Sequence, residues 1–205
     1  MFRSIAPYIA AMAVVVIASN YLVQFPLQAT LGGVNLADLL TWGAFTYPIA
    51  FLVTDLTNRN FGKSRARMVV LTGFFLAVAL SIWLATPRIA IASGAAFLTA
   101  QLLDVSVFDR LRASQWWKAP LFSSLIGSAL DTVLFFALAF APVFAMLDFG
   151  GEPGSLGFSV PFLGVGAETP LWISLAAGDF IVKIAVGLAM LVPYGIFAKR
   201  QMQSA

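Results

Sequence analysis

Asp131, Asp179 and Lys183 each fall inside a long apolar run, where charge is expensive. An ionised side chain at the centre of a bilayer costs about 2.5–3.5 kcal/mol even on the translocon scale, so such groups face a cavity or a partner. Asp179 and Lys183 are four residues apart with the acid first, which puts them on one helix face in the favourable order. Asp131 has no basic residue near it in sequence. It follows Ser123, Ser124, Gly127 and Ser128, small residues that let helices approach closely. Together the three point to a polar binding cavity at mid-depth. The plainer alternative is that Asp179 and Lys183 only neutralise each other and Asp131 is a hydrogen-bonded core residue.

Weaker polar signals flank this group. Asp55 and Arg59 are four apart near the end of an apolar segment and read equally well as a gate, an ion pair or ligand contacts. Gln101 and Asp104 share a helix face. Asn20 and Gln24 lie near a membrane surface, where anchoring is as good an explanation as function. The chain has no His and no Cys, which removes the commonest general base, the commonest metal ligand and every thiolate. No catalytic residue, metal site or cofactor is expected.

The elements that must hold these residues are helices. Of 205 residues, 60% are hydrophobic and 10% charged. Soluble domains average about 45–50% apolar and about 25% charged, so a water-soluble globule is excluded. Spans of about 20 apolar residues are read at Ile5–Phe25, Thr41–Asn58, Arg67–Ala85, Ile89–Val107, Ala119–Ala141 and Leu171–Phe197. This is an all-α polytopic membrane protein of six helices in a single domain, residues 1–205. The first run continues through Tyr21-Leu22-Val23, past any cleavage site, so it is read as an uncleaved helix. Asp131 then lies about 16 Å into the fifth helix, with Asp179 and Lys183 about 12 and 18 Å into the sixth. Pro48 sits inside the second helix, and interrupted helices mark transporter binding sites.

Sidedness follows from the basic residues. Arg3, Arg59, Lys63, Arg65, Arg67, Arg110, Arg112, Lys118, Lys199 and Arg200 all fall on one side, ten of the twelve Lys and Arg. Arg88 stands alone opposite, with Asp38, Asp148, Glu152 and Glu168. Both termini are therefore expected in the cytoplasm. Gly32-Gly33-Val34-Asn35 signals a small hairpin on the opposite side. The long Pro142–Pro170 connection reads as a surface loop or lid, with an interfacial segment at Phe158–Val165. Trp116-Trp117 beside Lys118 reads as an interfacial anchor.

These residues, in this order, resemble the bacterial queuosine-precursor transporters, a vitamin-uptake-like family. The similarity lies in Ser19-Asn20-Tyr21-Leu22-Val23-Gln24, in Thr41-Trp42-Gly43-Ala44-Phe45 and in Thr54-Asp55-Leu56-Thr57-Asn58-Arg59. It continues through Gln101-Leu102-Leu103-Asp104-Val105, Phe108-Asp109-Arg110-Leu111-Arg112, Trp116-Trp117-Lys118-Ala119-Pro120, Asp131-Thr132 and Asp179-Phe180 with Lys183. The Gly-rich external connection departs from the pattern.

The resemblance implies import of 7-cyano- or 7-aminomethyl-7-deazaguanine through the inner membrane for queuosine modification of tRNA. A guanine edge presents adjacent N–H donors that Asp131 or Asp179 could accept, and its carbonyl needs a donor such as Asn20, Gln101 or Lys183. Trp42, Phe45, Tyr47 and Phe135 offer walls for a flat ring. Asp104 joins these as a substrate-binding candidate. The expected partners are this cargo and lipid, with self-association into a homo-oligomer left open. No nucleic-acid site is expected, because insertion topology already explains the basic loops.

Two other classes compete. A substrate-capture subunit with a separate energising partner would present small residues such as Ala6 and Ala10 to that partner. An intramembrane aspartyl protease would need Asp179 to share a proton, but Lys183 one turn away holds it ionised. The chain has no G-x-x-x-x-G-K-[ST] loop for driving itself with ATP.

Overall fold

The computed structural model describes residues 4–149 and 156–202, and their architecture is an antiparallel helical bundle with small external hairpins. In chain order the helices are α1 (Ala6–Leu22), α2 (Gly43–Thr46), α3 (Ile49–Phe61), α4 (Lys63–Leu84), α5 (Pro87–Leu111), α6 (Lys118–Phe140) and α7 (Leu171–Met202). Among them α4, α5, α6 and α7 are long and apolar enough to cross a bilayer, and α1 is a shorter apolar helix of 17 residues.

The expected single span at Thr41–Asn58 is corrected to two helices. Pro48 has no N–H to give, and the chain tightens around it: Ala50 N–H donates to the Tyr47 carbonyl at 3.0 Å and Phe51 N–H to that of Pro48 at 3.1 Å. α3 is only 13 residues long and buries Thr54, Asp55, Thr57 and Asn58. A lone residue, Gly62 at φ 83°, separates α3 from α4, and only glycine adopts that backbone without strain.

Met12 and Val16 of α1, Ala50 and Val53 of α3, Val69 and Val70 of α4 and Phe97 of α5 make the larger apolar core. α5 and α6 are the most extensively packed pair. On α6, Ser123, Gly127 and Ser128 are buried, as their size led us to expect. A Cβ on Gly127 would stand 2.7 Å from the Phe51 ring, so glycine is what lets α6 close on α3. The outer surface is apolar: Phe75, Ile82 and Trp83 of α4 all face outward, Trp83 being 89% exposed. That pattern suits lipid, not water.

At the end away from the basic loops, the expected hairpin is present as β1 (Thr30–Leu31) and β2 (Val34–Asn35). Gly32 and Gly33 both take positive φ, as a type I′ turn requires. Within the last connection a second hairpin, β3 (Ser159–Pro161) with β4 (Glu168–Pro170), occupies the stretch expected to be interfacial. Val34 packs against Gly164, where a Cβ would come within 2.8 Å, so the two hairpins touch. Arg88 is buried beneath this region. It donates to the carbonyls of Leu138 and Ala141 at 2.8 and 2.7 Å and bridges Asp148 at 2.8 Å. Arg3 and Glu152, used above for sidedness, lie outside the described residues.

Candidate binding cavity

A cavity of about 530 Å³ opens between the last turns of α1 and α4, α2, the first half of α5, and the adjoining halves of α6 and α7. These parts all lie toward the hairpin end of the bundle. Small ligands occupy pockets of about 300–1,000 Å³, so the volume suits one aromatic heterocycle with room for water.

The cavity floor carries the charge. Lys183 on α7 reaches Asp131 Oδ2 on α6 at 2.7 Å and Asp179 Oδ2 on its own helix at 2.5 Å. Its third proton goes to Thr132 Oγ1 at 3.0 Å, and Thr132 donates to Asp179 Oδ2 at 2.8 Å. The Tyr47 hydroxyl, at the α2–α3 break, donates to Asp131 Oδ1 at 3.0 Å. The ammonium also lies 5.5 Å from the centre of the Tyr47 ring. All three Lys183 donors are therefore engaged, and the cluster keeps one net negative charge. A buried cation held this way is expensive to unpair: breaking such a pair costs about 3–5 kcal/mol.

The two carboxylates differ. Asp131 has both oxygens occupied, and its side chain is 5% exposed. Asp179 has Oδ2 occupied, has no protein donor on Oδ1 among the described residues, and is 16% exposed. The spacing on α7 alone pairs Lys183 with Asp179 and favours Asp131 as the cargo-binding carboxylate; Lys183 keeps that pair but also bridges to Asp131 on α6, so Asp131 is not free. Asp179 is the carboxylate with an acceptor left for a guest.

Asn20 also lines the cavity. Its amide donates to the Val16 carbonyl of α1 at 2.9 Å. Ser19 is tied to Thr46 at 3.0 Å, fixing α1 against α2. Tyr47 and Phe135 stand on the wall as expected, joined by Phe136 and Phe140. Trp42 and Phe45 do not: they pair with each other at 5.9 Å between centroids and lie outside the lining. The short α2 turns them away.

Gln101, Asp104, Asp55 and Arg59 are also outside the lining. They form a second polar layer nearer the basic loops, with Asp104 about 12 Å along α5 from Ala96 on the cavity wall. Thr54 donates to Gln101 Oε1 at 2.7 Å, and Asn58 to the Val105 carbonyl at 2.9 Å. Asp55 accepts from Ser123 and Ser124 at 3.2 and 3.3 Å. Arg59 donates instead to Tyr194 and to the Arg112 carbonyl, both at 2.9 Å, while Arg112 returns a bond to the Arg59 carbonyl at 2.8 Å. Asp55 and Arg59 therefore do not form a direct ion pair. Arg59 instead ties α3 to α5 and α7, with its guanidinium 5.6 Å from the centre of the Phe108 ring.

With the cavity defined, two kinds of comparison place the chain. Residues 41–86 and 81–197 match the model of a family described as "Putative vitamin uptake transporter". The chain belongs to this family. Among curated relatives, a protein of Haemophilus influenzae named "Probable queuosine precursor transporter" is 36% identical over 89% of this chain and 81% of its own length. The "Queuosine precursor transporter" of Escherichia coli is 33% identical over 89% of this chain and 80% of its own. A "Probable queuosine precursor transporter" of Bacillus subtilis is 24% identical over 87% and 75%. No solved structure matches the chain significantly.

Within this family member, sequence reasoning missed Thr132 as the hydroxyl bridging Lys183 to Asp179, and took Tyr47 for a wall without seeing its donor role. The adjacency of Thr132 to Asp131 was the available signal. A Thr beside a mid-membrane Asp has few other partners at that depth.

Proposed function

We propose that this protein imports a 7-deazaguanine precursor of queuosine, 7-cyano- or 7-aminomethyl-7-deazaguanine, across the bacterial inner membrane. The observation that carries the reading is the open cavity floor, where Asp179 Oδ1 is an acceptor without a protein partner among the described residues. The names of the relatives matched over most of the chain support the same cargo class.

On this reading the cargo's N1–H and 2-amino group donate to Asp179, whose charge the Lys183 bridge balances. Tyr47, Phe135 and Phe136 flank the ring. Its carbonyl takes a donor from Asn20 or Ser93 on the cavity wall. A base without the 2-amino group gives Asp179 one donor in place of two, which is how the site discriminates against it. No step requires a catalytic residue or a cofactor.

The basic-loop asymmetry sets both termini in the cytoplasm and counts α2 with α3 as one of six spans. The cavity then faces the periplasm, and the Arg59–Tyr194–Arg112 layer closes the cytoplasmic end. A cytoplasm-active reporter inserted between residues 150 and 157, outside the described residues, should stay silent; strong activity there would reverse the orientation.

The decisive test uses a host that neither makes the precursor nor has another importer. Expression should restore queuosine in tRNA at low external precursor. Modification at the empty-vector level, despite membrane expression, would refute the reading. Uptake by the purified chain alone in liposomes would separate a carrier from a capture subunit that needs an energising partner.

A further inference from the structure

The second polar layer is not explained by cargo binding. Asp104 is fully buried on α5, and neither of its carboxylate oxygens has a hydrogen-bond partner among the described residues. The Thr54–Gln101 and Asn58–Val105 hydrogen bonds bracket it against the stretch of α3 that carries Asp55, itself 1% exposed and held by Ser123 of α6. One turn back on α5, the Gln101 amide nitrogen is also buried and unpartnered. Against Asp55 lies a separate space of about 10 Å³, bounded by Ser124, Pro120, Gly187 and Tyr194. It is about the size of one water molecule.

The charges around the pair are few. On α3, Arg59 stands one turn from Asp55 but spends its donors on Tyr194 of α7 and the Arg112 carbonyl. Arg112 points its own guanidinium at the Arg59 carbonyl. α6 contributes only the hydroxyls of Ser123 and Ser124. No salt bridge reaches Asp55 or Asp104 among the described residues. Two negative charges enclosed there without a salt bridge would repel each other, and one shared proton removes that repulsion. One proton leaves a single negative charge, which nearby Arg59 offsets. A hard metal ion would need about six oxygen ligands, whereas Gln101 has its oxygen taken by Thr54 and only its amide nitrogen left over.

We propose that Asp55 and Asp104 form a one-proton site that couples cargo movement to the proton gradient. The proposal rests on the transport reading above. The proton is held while the cavity faces outward and the pair is dry. When α3, bounded by Pro48 and Gly62, shifts against α6 to open the cytoplasmic end, water entering past Tyr194 takes the proton from the carboxyl. The pair is left ionised until it reprotonates from the outside. Nothing else is consumed: one carboxyl O–H breaks, and the proton passes to water.

Infrared spectroscopy on the purified full chain tests the proton without any cargo. At neutral pH the wild type should show a protonated-carboxyl C=O band that is lost in Asp104→Asn and equally in Asp55→Asn, because either change leaves one carboxylate beside Arg59. Both variants preserve side-chain volume, and isotope-labelled wild-type protein reads the band even if one of them fails to fold.

In proteoliposomes, an inward gradient of one pH unit should raise wild-type accumulation of labelled 7-cyano-7-deazaguanine up to about tenfold. The Asp104→Asn protein should show no response to the gradient. Absence of the band, its survival in both variants, or uptake driven by sodium and not by pH would overturn the proposal. If no cargo moves under any gradient while the band behaves as described, the transport reading fails and the proton site stands.

Discussion

Lys183 gives its three protons to Asp131, Asp179 and Thr132, whereas Asp104 on α5, equally deep among the helices, receives none. Both regions set carboxylates from two helices face to face, with small α6 residues or hydroxyls between them. At the cavity floor a lysine converts the repulsion into a bridge, and the surplus charge is turned toward an opening large enough for a guest. In the second layer the carboxylates are buried, with a water-sized space beside Asp55. A buried network with its hydrogen bonds made holds geometry, while an unpartnered buried acid stores a charge problem that a proton can solve.

The comparison breaks first, and with the largest effect, at Lys183. In Lys183→Met two carboxylates lose their common partner, so stability should fall by about 3–5 kcal/mol. Thermal melting of the detergent-purified protein should show it, with partial recovery when Asp179→Asn is added. Next comes the asymmetry between the two acids. Asp179→Asn should weaken binding of 7-cyano-7-deazaguanine roughly ten- to a hundredfold, about 1.5–3 kcal/mol, while the protein stays folded on the Lys183–Asp131 bridge. Asp131→Asn should lower melting temperature more and affinity less. Equal affinity losses in equilibrium binding would erase the distinction between them.

Tyr47→Phe removes one donor from Asp131 and keeps the ring. A stability loss of about 0.5–1.5 kcal/mol is expected from chemical denaturation. The smallest effect belongs to the second layer: Asp104→Asn replaces a carboxyl with no hydrogen-bond partner among the described residues and leaves the layer with one negative charge, as in the wild type. Its melting temperature should equal or exceed that of the wild type. A drop as large as that of Lys183→Met would mean that Asp104 is paired in the folded protein, and the contrast would collapse.

Much of this is legible in the sequence. Asp131, Asp179 and Lys183 betray themselves because apolar surroundings leave charge few uses, and the i,i+4 spacing on α7 alone places Lys183 beside Asp179. The reach of Lys183 across to Asp131 depends on how α6 is rotated against α7, which is a tertiary quantity. For the same reason Trp42 and Phe45 lie outside the cavity lining, while Phe136 and Phe140, which nothing in the sequence sets apart from other membrane aromatics, belong to it. Pro48 announced an interruption, but only the structure shows that it divides the span into α2 and α3 and seats Tyr47 at the junction. Gln101 and Asp104 are recognisable in the sequence as costly, and the family resemblance points them to the cargo. Their helix face in fact meets α3 below the cavity.

The central claim is that Asp179 reads the amino edge of a 7-deazaguanine, and a two-by-two binding measurement addresses it directly. Wild type and Asp179→Asn would each be titrated with 7-cyano-7-deazaguanine and with its analogue lacking the 2-amino group. The wild type should bind the analogue about ten- to a hundredfold more weakly, and Asp179→Asn should bind both ligands with nearly the same, lower affinity. Undiminished preference for the amino-bearing ligand in Asp179→Asn would contradict the claim and move recognition to another part of the cavity.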